Sequence, residues 1–174
     1  MNEMIRFIAY HEAGHAAICL SQDIILDSIT IRGPYDPDSG GGECHLVEPN
    51  LNKYETLICT LAGMASERYL AEFEQTTLHK VEWRWHHDQM QAMQLLDELR
   101  GEGNNEYGIE GARAEAERLV RHYWPCIQGI ANELLDIYMS NDRDKFHVNH
   151  FKPRGTIATI DYVAAKKIFD RCKP

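Results

Sequence analysis

The sequence lacks several features that would assign its class at once. It has no apolar run approaching the roughly 18 residues that span a bilayer, and Met1 leads into a charged, helix-like segment rather than a signal peptide. It has no Gly-x-x-x-x-Gly-Lys-Ser/Thr motif, so no phosphate-binding loop for ATP-driven unfolding is encoded. We therefore expect a cytoplasmic chain without a membrane span that cannot unfold proteins by itself.

Paired cysteines and an excess of basic residues are also missing. The five cysteines are odd in number and contain no Cys-x-x-Cys pair, which argues against a disulfide framework and a thiolate zinc finger. We expect them to be buried, unreactive thiols in a reducing compartment. The net charge of −9 argues against nucleic-acid binding, because that activity requires a basic surface that neutralises phosphates.

The length of 174 residues fits one domain, residues 1–174, with its own hydrophobic core. Hydrophobic periodicity predicts a mainly α fold with a small β-sheet or hairpin, an α+β class. The predicted helices cover residues 2–20, 52–73, 87–99 and 109–139, with a break near Pro125 and a last helix capped by Thr159, and the predicted strands cover 24–32 and 43–47. In the helix at 87–99, Met90, Met93, Leu95 and Leu96 are the expected core residues.

The first helix contains the pattern His11-Glu12-Ala13-Gly14-His15. Residues four apart share a helix face, so the two imidazoles can hold one zinc ion, and Glu12 can act as general base for water. Two ordinary surface histidines are the alternative, which the independently predicted helix disfavours. Gly14 costs about 1 kcal/mol relative to alanine inside a helix, which indicates a packing or functional reason.

A catalytic zinc usually has three protein ligands, so a third must come from elsewhere in the chain. Spacing alone leaves this residue open. The candidates by chemistry are Glu67, Asp88, His45, His86 and His87. A glutamate on a downstream helix would match thermolysin-like enzymes, which makes Glu67 the main competitor.

Residues 9–16 resemble the zinc motif in the peptidase domain of FtsH, an ATP-dependent, membrane-anchored metalloprotease. Residues 28–33 with 41–44 resemble the strand pair that follows this motif in the family. Residues 61–67 are similar to its Leu-Ala-Gly-Arg-x-Ala-Glu helix, and residues 130–135 to its closing helix. Residues 87–92 resemble its Asn-Asp-Leu-x-x-Ala-Thr segment, whose aspartate is the third zinc ligand.

The resemblance implies an FtsH-peptidase-like helical domain with a zincin active-site helix, in which His11, His15 and Asp88 bind Zn²⁺. It also implies that Glu67 belongs to a structural helix and that the strand at 28–32 binds extended substrate along its edge. A homo-oligomer is expected because the family is hexameric. The segments at 34–42 and 141–154 have no counterpart in the family.

These features predict a zinc metalloendopeptidase in which Glu12 is the catalytic base. Without an ATPase module or anchor, we expect a stand-alone domain acting on peptides, flexible segments or proteins delivered by a separate unfoldase or adaptor. A catalytically silent zinc-binding adaptor and a hydrolase of a non-peptide amide stay open as alternatives. We interpret His147 and His150 as loop residues rather than a second metal site, and Trp83 and Trp85 as packing residues rather than a cover for the cleft.

Overall fold

A computed structural model describes residues 3–32, 41–47, 52–75, 86–104, 108–145 and 157–174. These form α1 (Glu3–Ser21), β1 (Leu26–Arg32), β2 (Gly42–Leu46), α2 (Lys53–Glu74), α3 (His86–Gly101), α4 (Ile109–His122), α5 (Trp124–Lys145), β3 (Ile157–Asp161) and α6 (Tyr162–Cys172). The fold is mainly helical with a small antiparallel sheet, which confirms the predicted α+β class. None of the described helices is long and apolar enough to cross a membrane.

Helix α1 is the centre of the core. From Ile5 to Leu20 every residue is buried except Arg6 and His15, which are half-buried. The helix packs against α2, α5 and the sheet. A helix that is buried all round is normally apolar all round, so the buried charged and polar residues of α1 require a specific reason.

Helices α1 and α2 cross very closely at Gly14. A Cβ atom at this position would lie 2.8 Å from the carbonyl oxygen of Ala62 and would collide with the Ser66 hydroxyl. The missing side chain therefore allows the two backbones to approach. This close approach is the packing reason that the sequence predicts for a glycine inside the first helix.

The sheet has the strand order β2-β1-β3, and both neighbours of β1 are antiparallel to it. The prediction that the strand at 28–32 offers a free edge to substrate is therefore wrong, because β1 is the central strand. Strands β2 and β3 have the two edge positions instead, each with no second partner strand among the described residues, and β2 is the edge strand that lines the cleft described below.

The third strand, β3, is missing from the sequence prediction. Thr159 does not cap the last helix; it lies in β3 opposite Thr30, with the two hydroxyl oxygens 3.0 Å apart. Asp161 is the cap, since its Oδ1 accepts a hydrogen bond from the backbone N–H of Ala164 at 2.8 Å. Pairing with β1, which is far away in the sequence, makes this segment a strand, and no local sequence pattern predicts that pairing.

One helix boundary follows local chemistry, and one predicted core face is wrong. The long helical pattern at 109–139 divides at Tyr123 into α4 and α5, because Pro125 cannot donate the backbone hydrogen bond of a continuous helix.

The expected core face of α3 is wrong at Met90 and Met93, which are 59% and 49% exposed. The stripe that this helix buries consists of Ala92, Leu96 and Leu99.

Candidate metal centre

His11 and His15 lie one helical turn apart on α1. Their Nε2 atoms are 3.0 Å apart, and their ring planes are nearly perpendicular, at 80°. His11 is only 8% exposed. Each ring therefore directs its Nε2 atom towards one shared point inside the fold, as the spacing of four residues requires.

The opposite nitrogen atom of each ring contacts α2. His11 Nδ1 lies 2.9 Å from Oε1 of the buried Glu67, and His15 Nδ1 lies 2.8 Å from the carbonyl oxygen of Cys59. A carbonyl oxygen only accepts hydrogen bonds, so His15 Nδ1 donates to Cys59, and the neutral His15 ring presents a lone pair at Nε2. His11 Nδ1 faces the Glu67 carboxyl group without an aligned hydrogen bond. This pattern of contacts is typical of metal-binding histidines. Glu67 thus orients His11 and is not placed beside the Nε2 atoms.

Asp88 approaches the same point from the first turn of α3. Its Oδ2 lies 2.9 Å from His11 Nε2 and 3.5 Å from His15 Nε2. Ligand atoms around tetrahedral zinc are about 3.3 Å apart when the bonds are about 2.0–2.1 Å long, so these separations suit one ion. Asp88 Oδ2 is buried and has no well-aligned hydrogen bond within the described part of the chain.

Three atoms with free electron pairs thus converge, which is unfavourable unless a cation lies between them. Among the described residues, His11, His15 and Asp88 are the one group of potential ligands whose donor atoms all lie within 4.8 Å of one another. The donor set of two imidazoles and one carboxylate fits a zinc ion with an open fourth position. These three residues are the ones that the resemblance to FtsH selects.

Gly63 of α2 has no side chain, which leaves room beside the Nε2 atoms of His11 and His15. A Cβ atom on Gly63 would lie 2.5 Å from His15 Nε2 and 2.7 Å from His11 Nε2. Any larger residue would therefore place carbon atoms against the two nitrogen atoms that face the shared point. The glycine in the middle of α2, which costs helix stability, is therefore required by the positions of the two imidazoles.

Glu12 is buried beside the two histidines and lines a cleft of about 680 Å³. The edge strand β2 passes over it, because a Cβ atom on Gly42 would lie 2.6 Å from both Cγ and Oε1 of Glu12. The carboxylate is thus held between α1 and the backbone of β2, at the wall of the cleft that also contains His11, His15 and Asp88.

The protonation of these groups reflects their mutual contacts. Burial acts to lower the pKa of His11, but hydrogen bonds with Asp88 and Glu67 outweigh it, so this pKa is raised well above its usual value. The pKa of His15 is also raised, because the charge of Asp88 outweighs burial. Burial acts to raise the pKa of Asp88, but the imidazoles hold it far below its usual range. In the absence of metal, the centre therefore binds a proton more readily than an ordinary histidine does.

The pKa of Glu12 is raised, with burial as the main cause and the nearby imidazoles opposing it. A carboxyl group with a raised pKa binds a proton more readily near neutral pH than an ordinary glutamate does. Glu12 is therefore suited to accept and return a proton within the cleft.

The other predicted ligand candidates lie outside this centre. His45 is exposed on β2, with Nε2 2.9 Å from Glu43 Oε2. His86 and His87 begin α3 and line the cleft, but they do not join the group of converging donor atoms. Some residues discussed from the sequence lie outside the described part of the chain: Trp83, Trp85, His147, His150 and most of the segments at 34–42 and 141–154.

Three cysteines of this cleft are absent from the site residues that the sequence predicts. Cys19, Cys44 and Cys59 all line it, although they belong to three different elements. One signal was available, because Cys19 follows His15 by four residues and therefore lies on the helix face that bears the ligands. The position of Cys44 and Cys59 opposite this face depends on the tertiary structure.

No protein-family model matches the chain, and no curated protein shows significant similarity to it. A function is therefore inferred from the residues and geometry of the cleft.

Proposed function

We propose that this chain is a zinc-dependent peptidase in which His11, His15 and Asp88 bind the metal and Glu12 is the catalytic base. The observation that supports this proposal is the convergence of three donor atoms, from the buried His11 and the half-buried His15 and Asp88, beside a buried glutamate in an open cleft. A purely structural zinc site is normally closed by a fourth protein ligand and has no use for such a carboxylate. The relation to the FtsH peptidase domain is part of the same proposal.

A bound zinc ion would act as a Lewis acid that acidifies water and polarises the substrate carbonyl group. Glu12 takes a proton from a water molecule in the cleft, and the oxygen atom of that water attacks the carbonyl carbon of the peptide bond. Glu12 then returns the proton to the nitrogen atom of the leaving amine. Glu67 and the carbonyl group of Cys59 hold the two imidazoles in the orientation that this chemistry requires.

Substrate would bind along β2. This edge strand lines the cleft and passes directly over Glu12. An extended segment added to the sheet beside β2 would run next to the metal centre, with backbone hydrogen bonds supplying affinity. We therefore propose unfolded peptides or flexible segments as substrates, delivered by a separate unfoldase or adaptor when the substrate is a folded protein. Free cysteines suit the cytoplasmic location that we propose.

Zinc binding is expected to weaken as the pH falls from 8 to 6. The metal binds neutral imidazoles, whereas the raised pKa of His11 and His15 favours a proton that competes with the metal as the pH falls. Each displaced proton lowers the apparent affinity about tenfold per pH unit below the pKa. Titration calorimetry at several pH values, in buffers of different ionisation enthalpy, measures both the affinity and the number of protons released.

The same shifts have an opposite effect on the metal-free fold. Because the folded pKa of His11 is above its unfolded value, protonation stabilises the metal-free protein at pH values below about 6.5, and this stability is lost as the pH rises through the folded pKa. The increase in thermal stability on adding zinc should therefore be larger at pH 8 than at pH 6. An affinity and a stability increase that do not change with pH would contradict this prediction.

Substitution of Glu12 by glutamine tests the proposed activity. We expect the variant to bind one zinc ion per chain and to cleave fluorescently labelled casein about 10²–10⁴ times more slowly than the wild type, because the amide cannot accept the proton. Metal content is measured by mass spectrometry and cleavage by release of labelled peptides. Glu3→Gln is the matched control, since Glu3 is an exposed glutamate on the same helix.

The pattern of results separates the alternatives. Equal cleavage by wild type and Glu12→Gln would reject the peptidase proposal. Zinc binding without cleavage of casein or short peptides would favour the adaptor. Hydrolysis confined to small non-peptide amides, and lost in Glu12→Gln, would identify a different hydrolase with the same centre.

A further inference from the structure

The cleft extends beyond the metal centre between α1 and α2. Cys19 lies one turn after His15 on the same face of α1, and it also lines the cleft. Glu67 of α2 is beside His11. Cys59, about two turns earlier on α2, is beside His15, so the two helices run in opposite directions. The residues of α2 that line the cleft from this point onwards are Thr56, Cys59 and Thr60.

Strand β2 forms the opposite wall of this part of the cleft. A Cβ atom on Gly41 would contact Ile8. One on Gly42 would contact Glu12, one turn further along α1, so β2 and α1 run in the same direction. Side chains two residues apart point to the same side of a strand, so those that follow Gly42 on this side lie further along the cleft. We call this end of the cleft the side pocket, and its lining residues are Cys19, Cys44, Leu46, Thr56, Cys59 and Thr60.

The side pocket is uncharged, and its polar hydrogen atoms are already used inside the protein. Thr60 Oγ1 donates to the carbonyl oxygen of Thr56 at 2.9 Å, and Thr56 Oγ1 donates to the carbonyl oxygen of Asn52 at 3.2 Å. The thiol of Cys59 donates to Oε1 of Gln22, with the sulfur and oxygen atoms 3.7 Å apart. These three side chains therefore offer methyl groups and sulfur rather than free hydrogen-bond donors to a molecule in the cleft.

The metal end of the cleft has the opposite character. Glu12, Glu67 and Asp88 surround the two imidazoles there. Among the described residues that line the cleft, none is a lysine or an arginine. An acidic group is therefore repelled at the metal end and has no cationic partner in the side pocket. A basic group is also disfavoured in the side pocket, because it would lose its hydration without meeting a carboxylate.

We propose that the side pocket binds an apolar side chain of the peptide substrate and so selects where the substrate is cut. This occupant rests on the proposed peptidase function. A segment extended beside β2 directs alternate side chains towards the cleft, and the side chain that follows the metal centre enters the side pocket. Removal of apolar surface from water favours leucine there over alanine, while glutamate is rejected most strongly.

The experiment uses short alanine–serine peptides with one variable central residue, which is leucine, alanine, lysine or glutamate. We expect the zinc-loaded wild type to cut next to leucine about 10–100 times faster than next to alanine, always on the same side, and to cut the glutamate peptide slowest. Mass spectrometry locates the cut, and initial rates give kcat/KM. Binding of the same peptides to the zinc-loaded Glu12→Gln variant, measured by fluorescence anisotropy, should follow the same order.

A charge placed in the side pocket should reverse this preference. Thr56 is the half-buried residue of its α2 wall, so a larger side chain is tolerated best at this position. In Thr56→Lys, cleavage of the glutamate peptide should rise about tenfold or more, because the carboxylate gains a charged hydrogen-bond partner, and cleavage of the leucine peptide should fall. Zinc content should not change. Thr159→Lys is the matched control, since Thr159 is exposed on β3 outside the cleft, and it should retain the preference of the wild type.

The results decide the side pocket and the peptidase separately. Equal cleavage of all four peptides, or a preference that Thr56→Lys leaves unchanged, would overturn the side pocket while the peptidase proposal stands. If the peptides bind Glu12→Gln in the expected order but the wild type cuts none of them, the peptidase proposal fails and the side pocket belongs to a binding protein. Should Thr56→Lys fail to fold, Thr56→Phe fills the same space without a charge, and the preference for leucine over alanine should then disappear.

Discussion

Replacement of Gly63 by alanine is expected to abolish zinc binding while the protein stays folded. The new Cβ atom would lie 2.5 Å and 2.7 Å from the Nε2 atoms of His15 and His11, at the point where the metal binds. The ends of the two imidazole rings can turn away from this methyl group, but they then no longer converge. Alanine is about 1 kcal/mol more favourable than glycine inside a helix, which offsets part of the strain.

Metal content, circular dichroism and casein cleavage together test this prediction. We expect no bound zinc, an unchanged helical signal and no activity. Gly111→Ala is the matched control, because Gly111 lies inside α4 and no atom is within 4 Å of the place that its Cβ atom would take. That variant should keep its zinc and its activity. Full zinc occupancy in Gly63→Ala would show that the metal does not bind between the two nitrogen atoms.

The second large effect is expected at Asp88. Its removal in Asp88→Ala leaves two of the three ligands, and zinc affinity should fall roughly 10²–10³-fold, as estimated by dividing the 10–16 kcal/mol of a four-ligand zinc site by four. Casein cleavage should disappear at zinc concentrations that saturate the wild type. Glu67→Gln should have the smaller effect of a supporting contact, about 10–100-fold in affinity, since Glu67 faces the Nδ1 side of His11 and not Nε2.

Chelator competition measures both affinities on the same scale. Asp97→Ala is the control for Asp88→Ala, because Asp97 is an exposed carboxylate on the same helix, 3.5 Å from Arg100. It should bind zinc like the wild type. If Glu67→Gln loses its zinc and Asp88→Ala keeps it, the third ligand is Glu67, and the thermolysin-like alternative replaces the proposed centre.

Local patterns predicted much of the fold because residues close together in the sequence determine where many helices and strands begin and end. Asn52 caps α2 through its own side chain, which accepts from the backbone N–H of Tyr54 at 2.9 Å. Pro125 divides α4 from α5 through its missing donor. The predictions failed where contacts with residues far away in the sequence determine the structure. Thr159 pairs with Thr30 in the sheet, and Met90 and Met93 of α3 are exposed.

The sequence alone identified the two histidines and the proposed base, since a spacing of four residues places His11 and His15 on one helix face wherever that helix lies. Spacing and residue chemistry left the third ligand open among Glu67, Asp88 and others, and the resemblance to FtsH pointed to Asp88. The tertiary structure separates these two carboxylates on physical grounds, because the antiparallel crossing of α1 and α2 puts Glu67 behind the His11 ring and α3 brings Asp88 to its front.

The same crossing also decides features that no local pattern contains. Gly63 is opposite both Nε2 atoms, Cys59 is opposite His15, and β2 and β3 rather than β1 are the edge strands among the described residues. Each of these depends on contacts between residues far apart in the chain, which hydrophobic burial of α1 brings together. Helical periodicity fixes which residues share a face, whereas helix packing and strand order decide what that face meets.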